Sequence, residues 1–127
     1  MRVLIFGTFD LLHPGHEFVL REAAKRGELT VIIARDVTVE RIKGRLPVQN
    51  EEVRKVAVQQ FVPAAQVLLG DRTDYLKPVR SLKPDRILLG YDQELPPGIT
   101  PEDLQCPVER LPSFEPEQYK SSLRRPA

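Results

Sequence analysis

The chain has a single cysteine, Cys106, and no tryptophan. One cysteine excludes an intramolecular disulfide and any zinc site built from several thiolates. No apolar run approaches the ~20 residues that a membrane helix needs, and the N-terminus lacks a signal-peptide pattern. An excess of charge of one sign is also missing: 19 Lys and Arg stand against 18 Asp and Glu, a formal net charge of +1. Such a balance gives no footprint for wrapping nucleic acid, so a bound anion should be small and held locally. Neither GxxxxGK[ST] nor GxGxxG occurs, which removes the P-loop and the dinucleotide fingerprint. What remains is 41% hydrophobic and 29% charged residues over 127 positions, the composition of a globular protein with a core. A single cytoplasmic domain spanning residues 1–127, with no membrane contact, is expected.

Five short apolar runs read as strands: residues 2–7, 29–34, 66–70 and 86–90, with 107–111 the weakest. Their continuous rather than alternating apolar character suits a parallel sheet covered on both faces. Helical patterns fall between them. Residues 16–26 end at Gly27, and residues 50–61 start on an Asn50 cap followed by Glu51 and Glu52. In the latter, Val53, Val56, Ala57 and Phe61 recur at helical spacing as the apolar face. A shorter helix over 74–82 is limited or kinked by Pro78. The β-α-β-α-β-α-β order argues for an open α/β sheet. From Glu94 onward, where seven of the twelve prolines lie, irregular chain is expected, with one short turn capped by Thr100 before Pro101.

Chemistry concentrates at the first strand-to-helix junction. Gly7-Thr8-Phe9-Asp10 leaves the strand and His13-Pro14-Gly15-His16 opens the helix. Ligands of open α/β sheets bind beyond the carboxyl ends of the strands, and a helix N-terminus favours phosphate. The only two histidines of the chain thus stand three apart, where both rings can face one phosphate. The same spacing also suits a metal, with Asp10 the nearest third ligand. The string Gly7-Thr8-Phe9-Asp10-Leu11-Leu12-His13-Pro14-Gly15-His16 closely resembles the GTFDxxHxGH signature of the HxGH nucleotidyltransferase superfamily, in its cytidylyltransferase-like branch. That resemblance implies a Rossmann-like fold of about five parallel strands with helices on both faces. It also implies in-line attack of an acceptor phosphate on the α-phosphate of a nucleoside triphosphate, with Mg²⁺ present and pyrophosphate leaving. By the same resemblance His13 and His16 contact the triphosphate, while Gly7, Thr8, Phe9 and Gly15 help to hold it and Asp10 lies toward the acceptor.

A basic cluster, Arg41-Ile42-Lys43-Gly44-Arg45, follows the second strand and by itself reads as a solvated loop. Together with Ala34-Arg35-Asp36-Val37-Thr38-Val39, Pro47 and Glu52-Val53-Arg54, it is similar to the ARDxTV, KGRxP and ExR pattern of archaeal-type FAD synthases. This implies a catalytic Lys43 that neutralises triphosphate charge, with Asp36, Arg45 and Arg54 near the acceptor; bidentate arginine geometry suits a phosphate. Leu89-Gly90-Tyr91-Asp92-Gln93 is similar to the LGxDQ of the same group, which puts Gly90 and Asp92 at the nucleotide. Tyr119-Lys120-Ser121-Ser122-Leu123-Arg124-Arg125 resembles a degraded ISSTxIR motif, with Ser121, Ser122 and Arg125 on the β- and γ-phosphates. The reaction implied is AMP transfer from ATP to FMN, without a metal site made of protein ligands. Alternatives are a glycerol-3-phosphate cytidylyltransferase-like or sugar-phosphate enzyme, and a non-catalytic nucleotide-binding module. The superfamily often forms dimers, which leaves a homodimer open.

Overall fold

The computed structural model describes residues 1–113, so the expectations for Ser121, Ser122 and Arg125 lie outside the described residues. Five strands, β1 (Arg2–Gly7), β2 (Glu28–Ile33), β3 (Gln66–Leu69), β4 (Arg86–Leu89) and β5 (Val108–Arg110), form one sheet in the order β3-β2-β1-β4-β5. All four pairings are parallel. β1 is the central strand, and its Val3, Leu4 and Ile5 are almost completely buried. Burying each such side chain stabilises the fold by about 1.5–3 kcal/mol.

Side chains alternate across a strand, so the sheet carries a core on each face. Val3 and Ile5 of β1 join Leu29, Val31 and Ile33 of β2 under Leu20 and Ala23 of helix α1 (Pro14–Ala24) and Val58 of helix α3 (Glu51–Phe61). On the opposite face Phe6 and Ile87 pack with Val79 of helix α4 (Lys77–Leu82) and Leu104 of a 3₁₀ turn (Pro101–Leu104). That turn has the expected Thr100 cap, reciprocated by the Asp103 carboxylate. Pro78 does not kink α4; it sits in the first turn, where its missing N–H is harmless.

Two sequence expectations are corrected. The segment after β2 is not a loop but helix α2 (Asp36–Lys43), closed by Gly44 in a left-handed conformation with φ 80°. The basic cluster is therefore a helix C-terminus, where Arg41 and Lys43 complement the backbone dipole. In α3 the buried stripe begins on Arg54 and continues through Val58 to the partly buried Phe61, while Val53 and Val56 are exposed. The apolar periodicity put the buried face on the wrong valines because a charged residue holds its first position.

Candidate functional site

The sheet order reverses between β1 and β4, and the loops leaving these two neighbours bound a cleft of about 1060 Å³. The exit from β1 is tightly built. Phe9 adopts φ 52° and Leu11 φ 53°, left-handed conformations that non-glycine residues adopt at a cost. The Phe9 ring is buried and lies over the Gly7 Cα, so a Cβ at Gly7 would collide with it. Both Asp10 oxygens accept backbone amides, from Val48 at 2.8 Å and Gln49 at 2.9 Å. The Gln49 Oε1 in turn accepts from the Leu11 amide at 3.0 Å. These bonds fasten the histidine loop to the segment that precedes α3. Burial pushes the Asp10 carboxyl up, but the Gln49 and Val48 amides, with Arg54 and Lys43 nearby, hold it below the ordinary aspartate value.

His13 is the cap of α1 and His16 closes its first turn. The Gly15 amide donates to His13 Nδ1 at 3.1 Å, and the His13 amide donates to His16 Nδ1 at 3.4 Å. Both Nδ1 atoms are thus acceptors, which assigns the ring proton of each to Nε2. The rings stack with centroids 3.8 Å apart, and Phe9 meets His16 edge-on at 5.5 Å. Burial, then the neighbouring His13, and more weakly Lys43, lower the His16 pKa from 6.5 to about 4, with Asp10 offsetting part. His16 is therefore neutral at pH 7, with burial as the chief cause and a proton on Nε2 to donate.

The cleft takes its β1 side from Gly7, Thr8, Phe9 and Asp10, together with both histidines. Lys43 and Arg45 reach it from the end of α2, and Gly90 and Asp92 from the end of β4. Gly15, Asp36 and Arg54 do not line it. Gly15 serves through its amide, and a Cβ there would press on the His13 ring at 3.0 Å. The expectation that Arg54 binds the acceptor phosphate does not hold in this structure. Arg54 is 0% exposed, and its nitrogens donate to Gln49 O (2.9 Å), Thr8 O (2.8 Å) and Asp36 Oδ1 (2.7 Å). It stands behind the wall, joining the β1 exit, the entry to α3 and the start of α2, with Asp36 as its partner.

Three residues outside the sequence assignments also shape the cleft. Glu51 accepts from the Asp36 amide (2.8 Å) and from Arg35 (2.9 Å), while Arg35 Nε donates to Gly70 O (2.8 Å), so α2 is aimed by α3 and β3. Gln93 donates to Phe6 O and accepts from the Gly90 amide, both at 2.9 Å, stitching β1 to the end of β4. Its place in the LGxDQ string was the available signal. Among the described residues no three His, Cys, Asp or Glu could hold a metal ion, and both Asp10 oxygens are already engaged. These residues form no protein cage for Mg²⁺. No described helix is long and apolar enough to cross a membrane.

The chain is 48% identical over 95 residues to an FAD synthase of Aciduliprofundum boonei, covering 74% of this chain and 63% of that protein. It therefore spans less than two thirds of that relative's length. Among solved structures it superposes with a TM-score of 0.76 and 33% identity on a lipopolysaccharide core biosynthesis protein from Thermoplasma volcanium, covering 90% of this chain and 98% of that one. A universal stress protein from Archaeoglobus fulgidus, 15% identical with a TM-score of 0.56 over 88% of this chain and 93% of that one, shares the fold alone. Residues 4–110 match the cytidylyltransferase-like family model, a span that runs from the buried start of β1 to the end of β5. On that match, the chain belongs to the cytidylyltransferase-like family.

Proposed function

We propose that this protein is an adenylyltransferase that joins AMP from ATP to FMN, giving FAD and pyrophosphate. The observation that carries the reading is the pair of imidazoles at the N-terminus of α1, each with Nδ1 engaged and Nε2–H left to donate at the cleft. The FMN phosphate oxygen attacks the α-phosphorus, and one new P–O bond forms. The bond from that phosphorus to the oxygen bridging to the β-phosphate breaks, and its electron pair leaves with pyrophosphate. Such a transfer needs alignment and charge stabilisation rather than a covalent nucleophile. His13 and His16 donate to the phosphates where charge builds up, and Lys43 neutralises the triphosphate beside them. Gly7 and Thr8 border the phosphates, and Asp92 faces ribose or base. Arg45 lies toward the acceptor. The triphosphate enters as its magnesium complex, the cation held mainly by phosphate oxygens, and the setting is cytoplasmic. The FAD synthase relative supports the choice of ATP and FMN.

A second reading is a sugar-phosphate acceptor, favoured by the likeness to the lipopolysaccharide core biosynthesis protein. One assay separates them: pyrophosphate release with each of four nucleoside triphosphates against FMN, glycerol 3-phosphate and sugar phosphates. ATP with FMN is the expected pair, with ATP used at least about ten times better than CTP, about 1.4 kcal/mol in the transition state. A preference for CTP, or turnover only with a sugar phosphate, overturns the proposal. Isolation of a stable nucleotidyl-protein adduct overturns the direct transfer.

A further inference from the structure

Arg110, the last residue of β5, lies outside every motif above. Its Nη1 donates to three backbone carbonyls, Gly90 at 3.0 Å, Tyr91 at 3.0 Å and Gln93 at 2.8 Å. The remaining guanidinium nitrogens have no hydrogen-bond partner among the described residues. A terminal guanidinium nitrogen carries two hydrogens, so three acceptors share them, and the carbonyls form a cup around one cationic nitrogen. Charge-assisted bonds of this kind are roughly twice as strong as neutral ones.

The three carbonyls belong to the turn that leaves β4. The turn is closed from within by the Gln93 amide on Gly90 O at 3.1 Å, and tied to β1 by the Gln93 side chain on Phe6 O at 2.9 Å. Gly90, Asp92 and Gln93 of the turn line the cleft, whereas Arg110 does not. Arg110 thus grips from behind a wall that faces the ligand. Removing it leaves the Tyr91 and Gln93 carbonyls without a donor among the described residues, and the carbonyl of the buried Gly90 with the Gln93 amide alone. The turn then loses its tie to β5 and shifts as these two carbonyls turn to water for a partner. The histidines and Lys43 belong to other elements and keep their places.

We propose that Arg110 is a positioning residue for the nucleotide: by holding the 90–93 turn, it fixes the surface against which the nucleoside end of the triphosphate rests. The inference rests on the adenylyltransferase reading for the identity of the ligand. Its signature is a change in nucleotide binding without a matching change in the chemical step. A lysine has one cationic nitrogen with three hydrogens, so Arg110→Lys meets the three-carbonyl cup with one donor apiece. Alanine meets it with none.

The test measures calorimetric binding of ATP and steady-state constants for both substrates in the parent, Arg110→Ala and Arg110→Lys proteins, with a thermal melt of each. Arg110→Ala should weaken ATP binding and raise its KM about tenfold, with kcat within about twofold and the acceptor KM unchanged. Arg110→Lys should bind ATP within about threefold of the parent. The inference fails if Arg110→Ala binds ATP as the parent does, or if kcat and both KM values worsen together. It also fails if Arg110→Lys melts like the parent yet binds no better than Arg110→Ala. A parent protein that binds no nucleoside triphosphate removes the adenylyltransferase reading itself. A parent that binds while Arg110→Ala makes no difference removes only the role of Arg110.

Discussion

His16 meets two opposing demands. Burial and the stacked His13 keep it neutral in the free protein, with a pKa of about 4, while a bound triphosphate favours a protonated or strongly donating ring. Its donation should therefore count most when charge builds up on the phosphates. His16→Ala is expected to lower turnover by roughly 10²–10³, the range for losing one transition-state donor. Nucleotide affinity should fall much less, a difference that kinetics set beside calorimetric binding will show; equal losses would reduce His16 to a binding group. The same shift has a consequence for stability. The native pKa lies below the ordinary 6.5, so the unfolded chain takes up the proton first as the pH falls. The contribution of a neutral His16 is complete above about 6.5 and is lost between there and about 4. Urea unfolding at stepped pH should show stability declining through that window, and His16→Gln should flatten the decline. An NMR titration of the imidazole should find the low midpoint and its rise when triphosphate is added.

At the scale of elements, Arg54 adds to the apolar packing of Phe9 and Leu12 a polar hold on the first two loops. Its pair with Asp36 and its two carbonyl contacts join α3, α2 and the β1 exit. Arg54→Ala is expected to cost about 3 kcal/mol, because it leaves two carbonyls behind the wall without their donor and the part-exposed Asp36 carboxylate without its cation. Denaturant unfolding measures this, and unchanged stability with a raised acceptor KM would return Arg54 to the role of ligand. How far the sequence could be read is visible in these same elements. The GTFDxxHxGH string was legible because it fixes residue types at a place where any open α/β sheet puts its ligand. Four of the five strands were legible as continuous apolar runs, and β5, Val108-Glu109-Arg110, only weakly. Helix α2 was not, because four of its eight residues, Val37, Thr38, Val39 and Ile42, are β-branched and weaken the helical signal. Arg54 was misread for a physical reason: an arginine in the first turn of a helix ordinarily faces water. Its burial is explained by three acceptors, the nearby Gln49 O together with Thr8 O and Asp36 Oδ1 from distant segments.

For the molecule as a whole, the reacting groups and the core share parts. Ligand binding should stabilise the fold by linkage, about 2.7 kcal/mol at a hundred times the dissociation constant, read as a raised melting temperature with ATP. The converse follows from the Phe9 ring, which belongs to the main apolar cluster, covers Gly7 and abuts His16. One side chain therefore answers both to the packing of the sheet and to the aim of the imidazole. The β1 exit also carries two left-handed residues, Phe9 and Leu11, conformations that persist only while their surroundings enforce them. Warming should release this loop before the sheet comes apart. The proposed activity would then be lost, reversibly, several degrees below the cooperative melt, so that the protein would report the slackening of its own interior as a working thermometer.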